Sequence, residues 1–207
     1  MVRPIITQKV PVSGKGQEIL TEIAAKKAVQ DKRRLDRVPL YDTYYPVVHG
    51  AARSYTLFQA AKKTADTLWK TNVTGNTGTF TEPIRIEGAR ITLSPLVIST
   101  GSHDALEWVQ KITDGGFTLY VGSTERLVAP IKDYLDAYYQ VYTSTIGAAS
   151  KCVVAIGQTG NWFALTPFIL DPTETLSVEL RFRNEVPNTA DVQLTFSLVG
   201  IRMVPVS

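Results

Sequence analysis

Leu176-Ser177-Val178-Glu179-Leu180-Arg181-Phe182-Arg183 alternates apolar and polar residues without a break. A polar turn follows, Asn184-Glu185-Val186-Pro187-Asn188-Thr189, and then Val192-Gln193-Leu194-Thr195-Phe196-Ser197-Leu198 alternates again. Successive side chains of an extended chain point to opposite faces. Leu176, Val178, Leu180 and Phe182 therefore share one face, and Val192, Leu194, Phe196 and Leu198 share another. Each run predicts a strand buried on one side. Two such strands joined by a Pro/Asn turn predict an antiparallel pair within a β-sandwich or jelly roll. No catalytic motif lies near them, which points to a protein that works through its shape and surface.

Upstream, shorter apolar runs extend the same pattern. Tyr55 to Phe58, Ile84–Ile86 and Ala89–Leu93 around Gly88, Leu96–Ser99, Phe117 to Val121, Lys151 to Ile156 and Asn161 to Leu165 bring the expectation to about eight strands. Ser102 can cap a short helix from His103 to Thr113, with Asp104 in its first turn and Gly115-Gly116 beyond its end. Pro130 to Tyr139 reads as one or two helical turns.

The N-terminal part differs in kind. Residues 1–16 carry Pro4, Pro11, Gly14 and Gly16 and read as an extended lead-in. From Gln17 to Arg37 there is neither Pro nor Gly, and Ala, Lys, Glu, Gln and Leu dominate, which predicts a helix. Its stripe of Leu20, Ala24, Ala28 and Leu35 is narrow, as in a helix docked on another surface. Glu22–Lys26, Lys27–Asp31 and Lys32–Asp36 stand at i,i+4 spacing. The expected division is an arm of residues 1–50, holding the basic helix and a Tyr-rich joint, and a sandwich body of residues 51–207.

Charge is unevenly spread. The chain of 207 residues has a formal net charge of +3, yet Met1 to Arg37 alone holds nine Lys/Arg against four Asp/Glu. A basic arm on a near-neutral body fits an acidic partner, either nucleic acid or a layer of lipid head groups. Lys26, Lys27, Lys32, Arg33, Arg34 and Arg37 are the candidate contacts, and at 100° per residue Lys26, Arg33 and Arg37 fall near one line. Such a line follows a phosphate backbone without reading bases. A solvated face with internal ion pairs accounts for the same residues. Tyr41, Tyr44 and Tyr45 are candidate subunit-interface residues, since tyrosine packs a ring while keeping a wet hydroxyl; covering the sandwich is the other reading.

Chemistry is sparse. His49 and His103 have no Cys or carboxylate at ligand spacing, so neither a metal site nor a cofactor is expected. No Gly-x-Ser-x-Gly elbow occurs, and the lone Cys152 sits in an apolar strand without a nearby His. Asp133 and Asp136 flank Tyr134, Tyr138, Tyr139 and Tyr142, a stripe that could stack on sugar rings or pack as core and interface. The chain shows no apolar leader and no run long enough to span a bilayer, and its single cysteine fits a reducing interior.

Leu57-Phe58, Thr64, Thr71-Asn72, Gly75, Phe80 and Ile86 form a pattern that resembles capsid proteins of tailless icosahedral bacterial viruses. The ending is similar as well, with Pro167, Asp171-Pro172-Thr173-Glu174, the alternating strand and Val199-Gly200-Ile201-Arg202. The resemblance covers about Tyr55 to Ser207, and this chain has room for one jelly roll rather than two. It implies a non-enzymatic virion shell subunit, assembled in the host cytoplasm into a homo-oligomeric lattice with other virion proteins. Its arm would meet neighbouring subunits, genome nucleic acid or an internal membrane. The alternative is a carbohydrate- or receptor-binding β-sandwich module on a virion surface, and a hydrolase using dispersed carboxylates ranks last.

Overall fold

A computed structural model of the chain describes residues 33–58, 71, 82–94, 97–99, 104–146 and 149–205. The chain is mainly β, with antiparallel sheets. Eleven strands occur among the described residues: β1 (Arg33–Tyr44), β2 (Ala52–Leu57), β3 (Ile84–Ser94), β4 (Val97–Ser99), β5 (Gly115–Val121), β6 (Thr124–Pro130), β7 (Tyr138–Ile146), β8 (Ala149–Gly157), β9 (Phe163–Leu170), β10 (Leu176–Val186) and β11 (Gln193–Pro205). The helices are α1 (Pro46–His49) and α2 (Asp104–Thr113), and a 3₁₀ turn spans Ile131–Tyr134.

One four-stranded sheet has the order β1-β11-β3-β9, and a second has the order β2-β10-β5-β6. The two alternating C-terminal runs are strands, as their period requires, but they do not pair with each other. β10 lies between β2 and β5, while β11 lies between β1 and β3. The turn after Val186 thus carries the chain from one sheet to the other, and the two apolar faces meet across the core instead of lying side by side. Leu176, Val178, Leu180 and Phe182 are buried from one side, and Leu194, Phe196 and Leu198 from the other. Phe196 joins the layers: its ring centroid is 5.0 Å from that of Phe117 on β5 and 6.4 Å from that of Phe58 beyond β2.

The helix expected over 17–37 is overturned at its C-terminal end. Arg33–Tyr44 is a strand, in continuous antiparallel register with β11 from Arg33 opposite Pro205 to Tyr44 opposite Leu194. Long-range pairing outweighs the local helix preference of Arg and Leu here. Leu40, Asp42 and Tyr44 take the buried face at period two. Asp36 is opposite Arg202 and pairs with it at 3.8 Å, in place of the expected helical partner Lys32. β1, which includes part of what read as the Tyr-rich joint, is thus a strand of the first sheet. The remainder of the expected helix, residues 17–32, lies outside the described residues. Pro39 in β1 and Pro167 in β9 fall on the two edge strands of this sheet, where a missing N–H breaks no ladder.

β4, β8 and β7 form a separate three-stranded sheet with β8 in the middle. Cys152 is buried on β8, opposite Ser99 and Thr143. α2 buries Ala105, Val109 and Ile112, one face at helical spacing, and Asp104 and Glu107 in its first turn suit the helix dipole. The segment read as helical turns, Pro130 to Tyr139, gives only the 3₁₀ turn before it opens into β7.

Candidate interaction surfaces

The C-terminal part of the expected helical line is extended instead. Arg33, Arg34 and Arg37 lie on the extended backbone of β1 and not on a helix. Lys26, Lys27 and Lys32 lie outside the described residues. Arg37 is exposed on the outer face of the first sheet.

The three candidate tyrosines separate. Tyr44 is wholly buried, its ring tilted against those of Phe182 at 5.4 Å and Tyr55 at 4.8 Å, and its hydroxyl donates to the Gly50 carbonyl at 3.1 Å. Burial first, then Tyr55 and Glu185 nearby, push its pKa up to about 12. It is a core residue and offers nothing to another subunit. Tyr41 points to the opposite face and is half-buried. Tyr45 follows the strand and donates its hydroxyl to the Asp191 carboxylate at 2.7 Å, a contact between loops at one end of the sandwich.

Above the outer face of the first sheet is an open hollow of about 430 Å³. Leu35 and Arg37 of β1, Glu87 and Gly88 of β3, Trp162 before β9 and Val199 of β11 are among its walls. It arises where β3 bulges: the pairing with β11 shifts between Val199 and Gly200, and the pairing with β9 shifts between Ile86 and Gly88. A Cβ on Gly88 would come within 3.2 Å of both the Phe163 carbonyl oxygen and the Val199 side chain, so the missing side chain is part of the recess. Trp162 is held as a wall by Arg90, whose guanidinium lies 4.3 Å from its ring centroid and 3.7 Å from the Asp136 carboxylate. Arg37 and Glu87 are the charged lining residues, so the hollow favours no net charge in an occupant.

The carboxylates beside the tyrosine stripe do not form a reactive pair. Asp133 is exposed, whereas Asp136 is buried and occupied. It accepts the Thr159 hydroxyl, the Thr159 N–H at 3.1 Å and the Gly160 N–H at 2.9 Å. Burial pushes its pKa up, but these hydrogen bonds and one from the Asn161 backbone outweigh that and hold it below the ordinary value. Asp136 pins the β8–β9 connection. Among the described residues, no three His, Cys, Asp or Glu side chains come together as metal ligands.

Exposed large apolar residues lie on β6, β7 and β9 and, as Val47 and Val48, on α1. Val128 on β6 and Ile169 on β9, at the same side of the sandwich, are 61% and 58% exposed. β7 exposes Tyr138, Tyr139, Val141 and Tyr142, from both of its faces. Sequence reading caught these tyrosines as a stripe but missed the strand. The signal that was present is nine successive uncharged residues of high strand preference, Tyr138 to Ile146.

No family model matches this chain, and no curated protein matches it either.

Proposed function

We propose that this chain is a structural shell subunit of a virion, built on a single jelly roll and acting by self-assembly. The observation that carries this reading is the strand order. With β4, β7 and β8 set aside as insertions, the eight sandwich strands in chain order sort as first-eighth-third-sixth in one sheet and second-seventh-fourth-fifth in the other. This order supports the jelly-roll reading, since a jelly roll joins two Greek keys in eight strands and is used by viral capsid, lectin and cupin domains. Fold alone does not choose among these. The resemblance of the loop and C-terminal motifs to bacterial virus capsid proteins, together with apolar residues exposed on three edge strands, favours the shell.

In this reading the sandwich edges meet neighbouring copies or other virion proteins. In this reading the basic residues 1–32, which precede β1 in the chain, tie neighbours, genome nucleic acid or an internal membrane. The site of action is the virion, after assembly in the host cytoplasm.

The test is light scattering with electron microscopy on the full chain, across protein and salt concentration, beside a chain lacking residues 1–32. Large assemblies of the full chain that the truncated chain builds poorly are expected. A full chain that stays monomeric throughout overturns the reading.

A further inference from the structure

We infer that β7 is a self-pairing edge, through which two copies of this chain join antiparallel across a two-fold axis near Gln140. Among the described residues β7 pairs only with β8, and its other side is an unpaired strand edge. Edges of soluble proteins are normally blunted by Lys, Pro, a bulge or a covering segment. β7 has neither charge nor Pro over Tyr138–Ile146, and its pairing with β8 runs without a register shift. Its apolar side chains are well exposed, Tyr138 at 56% and Tyr142 at 51%. A strand of this composition would be an aggregation hazard if left uncovered, and no described segment covers it.

The occupant follows from charge and symmetry. Nucleic acid needs cations, and β7 has none. A charged partner strand would find no counter-charge. A second copy meets neither difficulty, because isologous pairing sets the same uncharged strand against itself. The sequence is close to palindromic about Gln140: Tyr138-Tyr139-Gln140-Val141-Tyr142. Antiparallel pairing centred there sets Tyr138 opposite Tyr142 of the partner subunit, Tyr139 opposite Val141 of the partner subunit, and Gln140 opposite its own copy. Aromatic–aromatic and aromatic–β-branched pairs are the favourable cross-strand combinations. The rings are also held in advance: Tyr138 lies against Gly157, where a Cβ would collide with it, and the Tyr142 hydroxyl donates to the Gln140 side-chain oxygen.

A strand of this length spans about 30 Å. Edge pairing alone falls short of the roughly 1,600 Å² of a standard stable interface. The contact is therefore weak by itself and belongs to an assembly, and covalent capture is the assay that suits it. Directly opposed antiparallel residues have Cα atoms about 4.5–5.5 Å apart, within the range a disulfide bridges. Gln140→Cys in the full chain should form a disulfide-linked dimer under mild oxidation, at least tenfold faster than Ser123→Cys in the exposed β5–β6 turn. Cys152 is buried and stays silent. Adding Val141→Lys, at an exposed position, should lower the capture rate at least tenfold. Capture of Gln140→Cys no faster than of Ser123→Cys, or capture unaffected by the lysine, overturns the inference. So does binding of soluble glycans to Tyr138 and Tyr142 without capture, which would give the strand to a carbohydrate partner. The result is separable from the shell reading. Capture without large assemblies sinks only the shell, and assemblies without capture sink only this edge.

Discussion

The Asp42 carboxylate accepts the backbone N–H of Phe58 at 2.6 Å, and Phe58 has a φ of 63°, the left-handed region that a bulky residue rarely takes. The same carboxylate accepts the Thr43 N–H at 2.9 Å through its other oxygen. Phe58 is buried against Phe196, so the strained backbone sets a core aromatic in place just after β2. Asp42 is thus an acidic residue on the core face of β1 with a structural task, which is to satisfy the donors at the turn out of β2. Asp42→Asn keeps the shape but turns one acceptor into a donor facing an N–H. A loss of about 1–3 kcal/mol is expected, as for a buried polar group left unsatisfied. Urea unfolding should show a lower midpoint with an unchanged slope.

Two buried carboxylates should respond to pH with opposite sign. Burial, only partly offset by the hydrogen bonds from Phe58, Thr43 and Thr71, raises the Asp42 pKa above 3.8. The native state then binds the proton more tightly than the unfolded chain does. The stability this contributes is present below the unfolded pKa and lost as pH rises through the folded value. Asp136 is lowered below 3.8, so its contribution is present above the unfolded pKa and lost as pH falls through the folded value. The stability gap between the parent and Asp42→Asn should therefore narrow as pH rises from 3.8, and the gap for Asp136→Asn should narrow as pH falls below it. Denaturant midpoints taken in steps across that range check both signs.

What the sequence makes legible follows from how each strand is buried. β10 is buried on one side only, and β11 alternates from Gln193 to Phe196 before Ser197 and Val199 bury its other face as well, so both runs read as strands. Alternation says which residues share a face but not which strand lies alongside, so the two runs read as a hairpin although they belong to opposite sheets. β1 hides itself: its first five residues are charged or helix-preferring, and its core face includes Asp42 beside Leu40 and Tyr44. β7 exposes both faces and so has no period to detect, and β6 is largely exposed as well. Of the candidate site, Tyr44 and Tyr41 differ only in strand parity, which becomes readable once Arg33–Tyr44 is known to be extended.

Phe196 is where the two sheets meet. It is wholly buried, with the Phe117 and Phe58 rings arranged edge-on to it. Phe196→Ala should cost about 3–5 kcal/mol, the range for a large aromatic removed from a packed core. Thermal unfolding followed by far-ultraviolet circular dichroism would report it.

Gly200 lies where β11 crosses the β3 bulge. A Cβ there would fall 2.5 Å from the Ile84 side chain and 2.7 Å from the Arg85 carbonyl oxygen, and the second of these is backbone and cannot swing aside. Gly200→Ala should cost about 1–3 kcal/mol, the usual cost of overpacking. Because the hollow shares these strands, Gly88→Ala makes a matched comparison. Its Cβ would meet neighbours at 3.2 Å, where a shift of a few tenths of an ångström suffices, so its loss in unfolding midpoint should be the smaller of the two.

Truncation from the N-terminus should have a sharp boundary between residues 32 and 44. A chain beginning at Arg33 retains the whole of β1 and its continuous pairing with β11. A chain beginning at Tyr45 loses Leu40 and Tyr44 from the core, and it leaves one side of β11 without a partner along its length. Removing a buried Leu side chain alone costs about 2–5 kcal/mol, and losing Tyr44 adds about 3–5 more for a large aromatic. Together these reach the whole stability of a typical domain, about 5–15 kcal/mol. The first truncation should therefore give a cooperative unfolding transition close to that of the full chain, and the second should give none, with circular dichroism as the measurement. A cut after Arg37 removes charged residues yet also five rungs of β1, so its effect on assembly would mix lost fold with lost arm. The cut after Lys32 isolates the arm.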